Sequence, residues 1–196
     1  MIAMLPIFSH YDLAQRLHDF SIAFPKIHLQ LEEIEERDLS HKIDFHDYDS
    51  YLLRGVMEEL HDFQRICLYE DILVAVVSIH HPYARKEKLL VHELEKEPLL
   101  FTPHYTCIAN IAMNACLNAG FQPMIKRHGR IETLMAAVNN QEGIALVMSN
   151  SLTLFQLKEV VAIPFETEIH GDIYLYFNEH SKHQDALMKL VSHIQS

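Results

Sequence analysis

"DILVAVVSI", residues 71 to 79, runs from an aspartate through eight residues without a charge or an amide side chain. A strand with one wet face alternates polar and apolar positions, so an unbroken apolar run describes a strand covered on both faces. "EGIALVM", at 142 to 148, is a second run of the kind, and it follows Ile131, Leu134, Met135 and Val138 at helical spacing. Working outward, "PLLF" at 98 to 101 reads as a short strand. Ile108, Ile111, Ala112, Ala115 and Ala119 mark the buried face of the helix after it. That helix is expected to start with Thr102 as N-cap and Pro103 at its first position. It should stop at Gly120 with positive φ, Phe121 folding back on the last turn. Buried strands alternate with helices, so the class is α/β.

Both ends of the chain repeat the pattern. "IAMLPIF" reads as a first strand, Leu13, Leu17, Phe20 and Phe24 as a helix face, and Ile27, Leu29 and Leu31 as an alternating strand beyond the break at Pro25. At the other end, "DIYLYF" (172 to 177) is a strand, and Leu187, Leu190, Val191 and Ile194 line one face of a helix expected to be capped by Ser181. No Gly/Ser-rich linker interrupts the 196 residues, so two lobes would have to be joined by short ordered crossings.

Composition excludes several classes of function. The apolar runs stop far short of the roughly 20 residues a membrane helix needs. "MIAMLPIFSHYD" has neither a basic n-region nor a small-residue cleavage site, which predicts no secretory signal and a cytoplasmic protein. Net charge is −11 with no Lys/Arg stripe, a poor surface for nucleic acid. Cys67, Cys107 and Cys116 show no CxxC and sit in apolar surroundings, as reduced thiols do. The 15 histidines are scattered, as at His41, His46, His80 and His81, and "HELEK" (92 to 96) lacks the second His of a zincin helix, so neither metal nor cofactor is expected. No Gly-rich phosphate loop and no Gly-x-Ser-x-Gly elbow occurs, and the acidic run "EEIEERD" (32 to 38) reads as a solvated strand end. No enzyme is expected.

Four stretches, in order, resemble the effector-binding domain of LysR-type transcriptional regulators. "LHDFSIAFPKIHLQL" is similar to the family's first helix, Phe-x4-Pro junction and second strand. "CLYEDILVAVVSIHHPYAR" resembles its crossing strand and His-Pro-x-Ala turn, here His81 to Ala84. "VHELEKEPLLF" looks like the entry to the second lobe, and "AGFQPMIKRHGRIETLMAAVNNQEGIALVM" like the Ala-Gly-Phe-x-Pro turn, sensing helix and glycine-bearing strand. The chain departs from the pattern at Gln141-Glu142-Gly143, where the family commonly has Gly-x-Gly, and at Met148, where it commonly has Pro.

The resemblance implies two Rossmann-like lobes with mixed sheets joined by two crossing segments, a fold like that of type 2 periplasmic solute-binding proteins. Lobe I would hold 1–77 and 164–196, and lobe II 78–163. It further implies a homodimer paired side by side, a tetramer in the full-length protein, and DNA contact only through an N-terminal winged helix-turn-helix that is absent from this chain.

A small effector, a carboxylate by preference, would bind in the interlobe cleft where helix N-termini meet strand ends. The candidates are Ser9 and His10 after the first strand, Thr102, His104 and Tyr105 in "FTPHYT", and Arg130 and Glu132 in "RHGRIE". Ser9 and Thr102 serve equally as plain N-caps, each stabilising by about 1 kcal/mol without any ligand. Rival readings are a free-standing solute-binding protein of the same fold, a hydrolase or transferase on an α/β sheet, and a sensor that has lost its ligand and only dimerises.

Overall fold

In a computed structural model that describes residues 1–6, 11–39, 47–55, 57, 60, 63–153, 155, 159–178 and 181–196, the chain divides into two units, 1–70 with 172–196 and 71–171. The division falls at 70/71 and 171/172, not at the expected 77/78 and 163/164. The reason is strand pairing: the run at 71 to 79 is hydrogen-bonded on both sides to strands of the second unit, and the strand ending at Pro164 belongs to the same sheet.

In the first unit, β1 (Ile2–Met4), α1 (Leu13–Ala23), β2 (Leu31–Glu33), α2 (Glu36–Leu39), β3 (Ser50–Arg54) and β4 (Gln64–Tyr69) come from the amino-terminal part of the chain. Two later elements, Ile173–Phe177 and Gln184–Ile194, return to this unit. Its sheet runs β2-β1-β3, all parallel, with the strand 173–177 antiparallel between β3 and β4. Leu13, Leu17 and Phe20 of α1 and Leu187, Leu190, Val191 and Ile194 of the last helix supply its apolar core. The Arg16 guanidinium reaches across at 2.7 Å to the carbonyl of Ile194 and ties the two helices together.

Three expectations shift here. The alternation at 27 to 31 becomes strand only from Leu31, and the acidic run is shared between the exposed β2 and the short α2. Ser181 does not cap the last helix, whose N-cap is His183 with no side-chain bond; the Ser181 hydroxyl accepts the His183 N–H instead.

The second unit is built from β5 (Leu73–Ser78), β6 (Pro98–Phe101), α3 (Cys107–Asn118), β7 (Met124–His128), α4 (Ile131–Asn139), β8 (Ile144–Met148) and β9 (Val160–Pro164). Short 3-10 turns lie at 82–85, 91–94 and 149–152. The two elements that return to the first unit are β10 (Ile173–Phe177) and α5 (Gln184–Ile194). The second sheet runs β7-β6-β8-β5-β9, with β6 parallel to β7 and β8 and β5 antiparallel to β8 and β9. Every residue of β5 is buried. Leu73, Ala75 and Val77 pack under α3, and Val74 and Val76 pack under α4, which is why the run shows no alternation.

Each helix of this sheet ends in a left-handed residue. Gly120 (φ 91°) follows α3, with its N–H donated to Leu117 and the Phe121 N–H to Cys116, the paired bonds of a Schellman cap. Gln141 (φ 58°) does the same after α4, with Gln141 bonded to Val138 and Glu142 to Ala137. The position where the family commonly has glycine thus keeps a glycine-like left-handed backbone while carrying a glutamine side chain. Gly143 is held for a different reason, since a Cβ there would lie 2.3 Å from the Pro98 carbonyl oxygen.

Candidate functional site

Strands β6 and β7 are parallel, so their carboxyl ends, Phe101 and His128, share one edge and stand opposite each other in register. Beyond Phe101 the chain does not enter its helix at once. Pro103 opens a turn whose carbonyl accepts both the N–H (2.9 Å) and the hydroxyl (2.8 Å) of Thr106. The Thr106 hydroxyl in turn accepts the Ala109 N–H at 3.2 Å, which makes Thr106, not Thr102, the N-cap of α3. Thr102 is 4% exposed and its hydroxyl lies 2.8 Å from that of Thr106. Two hydroxyls are thereby stacked at the start of a twelve-residue helix.

His104 and Tyr105 fill the turn between the two threonines, their rings edge to face at 5.6 Å. His128 closes the other side. Its Nδ1 lies 2.8 Å from the Thr102 carbonyl, and its ring stands nearly perpendicular to that of His104 at 6.2 Å and to that of Phe101 at 6.3 Å. The Gly129 N–H donates to the Phe101 carbonyl at 3.0 Å, pinning the chain just before Arg130. Arg130 is the N-cap of α4 through its backbone, with no side-chain cap bond, and Glu132 is exposed in the first turn.

Of the residues singled out in the sequence, Thr102, His104 and Tyr105 thus gather at the start of α3, while Arg130 and Glu132 follow on the neighbouring helix start. Ser9 and His10 lie outside the described residues. Just after them, Tyr11 (φ 62°) and Asp12 (φ 54°) are both left-handed before α1. Tyr11 accepts a 2.6 Å bond from the buried Arg54 guanidinium. Burial, with the Asp12 carboxylate as the next cause, pushes the Tyr69 phenol up to about 12. Thr106 and His128 were missed. A second threonine four residues after the first, three before an alanine, was the available signal for Thr106; His128 lies within "RHGRIE", but on an exposed strand whose pattern does not point to its partner at Thr102.

The three cysteines form no disulfide. Cys107 is the first residue of α3 and half-buried; Cys116, in the same helix, is buried, which lifts its thiol to about 11. Among the described residues no three His, Cys, Asp or Glu side chains are grouped to hold a metal, and no helix is long and apolar enough to cross a membrane.

The profile of the LysR substrate binding domain matches residues 1 to 196. The chain belongs to this family. A hydrogen peroxide-inducible genes activator of Dickeya chrysanthemi is 26% identical over 161 residues, 82% of this chain and 52% of the activator. Among solved structures, the BenM effector-binding domain with its effector benzoate has a TM-score of 0.85 at 18% identity, covering 99% of this chain and 89% of BenM's. A hydrogen-peroxide-bound OxyR mutant of Corynebacterium glutamicum reaches 0.83 at 18% identity, over 99% of this chain and 62% of OxyR's. At such identities the structures show the fold, and it is that of LysR effector-binding domains, of the type 2 periplasmic-binding-protein kind. The LysR domain described here spans about half the length of the curated relatives it matches. Those relatives are transcriptional regulators, and a stand-alone solute-binding protein is the disfavoured alternative.

Proposed function

We propose that this effector-binding domain reads a small anion, a carboxylate by preference, at the start of α3, and passes the signal to a DNA-binding part of a longer cytoplasmic regulator that works as a homodimer or tetramer. The observation that carries the reading is the Thr102–Thr106 hydroxyl pair at a helix N-terminus, on the carboxyl edge of parallel strands. Such a terminus offers the positive end of the helix dipole to an anion, and the carboxyl edge of the sheet is where ligands of open α/β folds bind. His104, Tyr105, Arg130 and Glu132 would shape the rim. The benzoate held by BenM is an anion of this class. A ligand of this kind acts by preferring one arrangement of the protein over another, so its differential affinity sets the size of the response.

The test is thermal unfolding with a panel of small carboxylates. A compound at about 100 times its dissociation constant should add about 2.7 kcal/mol, and Thr106→Val should remove that gain. A full gain in Thr106→Val would exclude this site. Sizing chromatography giving only monomer at micromolar concentration would overturn the pairing.

Cys107 favours a second reading in which the signal is a peroxide. It stands at a helix start, where a thiolate is favoured, and the relatives include several named as hydrogen peroxide-inducible activators. The thiolate would attack one peroxide oxygen, leaving a sulfenic acid on Cys107 and releasing hydroxide. Cys116 lies nine positions on along α3, about 13.5 Å by helical rise, so a disulfide between the two would require α3 to unwind. Intact-mass measurement after stoichiometric peroxide should show one added oxygen, absent in Cys107→Ser; no added oxygen would exclude this reading.

A further inference from the structure

We propose that His128 sets ligand preference at this site and that an anionic effector binds there together with a proton, given that the start of α3 is the effector site. A carbonyl oxygen can only accept, so the 2.8 Å contact with Thr102 makes Nδ1 the donor. In a neutral imidazole the other nitrogen is then an acceptor. His128 is an exposed residue, and Nε2 lies on the edge of the ring away from the Thr102 contact. In the neutral state that edge presents a lone pair and repels an anion. Protonation turns it into a donor and leaves the anchor intact, because both nitrogens of an imidazolium donate. One charge state of His128 therefore suits an anion, and the ring need not move to reach it.

The surroundings single out this imidazole. His104, the other imidazole at the turn, makes only ring contacts among the described residues, so nothing there fixes its tautomer. On β7 the Arg127 guanidinium is engaged by Glu142 at 3.0 Å, and the Lys126 ammonium by the Glu142 carbonyl at 2.9 Å. Arg130 and Glu132 at the start of α4 bring one charge of each sign, and Tyr105 stands behind His104. Histidine is the side-chain type that ordinarily changes charge between about pH 5 and pH 8.

Isothermal calorimetry of the whole chain with sodium benzoate, repeated in buffers of different ionisation heat, counts the protons taken up. Expected are proton uptake of up to about one per benzoate and several-fold tighter binding at about pH 6 than at about pH 8. Both should vanish in His128→Asn, whose side-chain amide keeps a donor for the Thr102 carbonyl and deletes the distal nitrogen, and both should persist in His92→Asn, on the 3-10 turn at 91–94 outside the site. Unchanged proton uptake in His128→Asn, with binding still abolished by Thr106→Val, overturns the role of His128 and leaves the effector site standing. Benzoate binding that ignores Thr106→Val, or no binding at any pH, overturns both.

Discussion

The two ends of α3 are finished by opposite means. At its carboxyl end the chain closes itself with backbone alone: Gly120 turns left-handed, two N–H groups return to Leu117 and Cys116, and Phe121 drops into the core. At its amino end a side-chain network does the work, with Thr102, Thr106, the Pro103 carbonyl and His128 linked through contacts of 2.8 Å. The first end leaves little for a ligand to add. The second gathers hydroxyls and imidazoles on a sheet edge where a helix dipole points outward, and a cap alone would need only Thr106. On the proposed reading, stability is concentrated at one end of the helix and recognition at the other.

The sharpest way to break that contrast is Phe121→Ala, which should cost about 3 kcal/mol in urea unfolding while leaving any carboxylate-induced gain intact. Loss of the ligand effect with the fold preserved would show that the two ends are not separate. Next comes alkali. Burial raises the Cys116 thiol from its ordinary 9.0 to about 11. The folded state therefore keeps a proton that the unfolded chain has lost. This contribution is fully present below about pH 9 and is lost as pH rises toward about 11, on the order of 3 kcal/mol in all. Cys116→Ala should flatten the fall measured by denaturant titration across that window. Over the same range Cys107 should be alkylated before Cys116, and equal rates would contradict the burial difference.

Smaller effects sharpen the comparison. Thr106→Ala should cost about 1 kcal/mol as a lost cap, and Thr106→Ser much less. Gly120→Ala should cost about 1 kcal/mol, and Gln141→Gly should gain a similar amount, because a side chain in the left-handed region carries that strain. A neutral Gln141→Gly, read as an unchanged urea midpoint, would mean that the amide side chain repays its strain by contacts of its own.

How much of this was legible follows the physics that shaped each part. The runs at 71 to 79 and 142 to 148 announced strands buried on both faces, because nothing but two covering layers explains apolar residues without alternation. Gly120 with Phe121 behind it announced the carboxyl end of α3, since a Schellman cap is a local motif. The amino end was displaced by four residues. Thr102-Pro103 has the chemistry of a cap followed by a first helical residue, yet Pro103 spends its carbonyl on Thr106 and makes a turn first. His128 could not be found from sequence, because its partner at Thr102 lies across a parallel strand pair, 26 positions away. The lobe boundary was misplaced on the same account: whether β5 belongs to one sheet or the other depends on pairing with β8 and β9, which composition does not encode.

The most direct measurement is an amide chemical-shift titration of the whole chain with benzoate. The largest changes should fall on Thr106 to Ala109 and on His128 to Arg130, with Leu117 to Phe121 nearly unmoved. Changes centred on the carboxyl end of α3, or on the groove lined by Leu90, Ile111, Asn114 and Phe165, would contradict the division of α3 into a recognising end and a stabilising one.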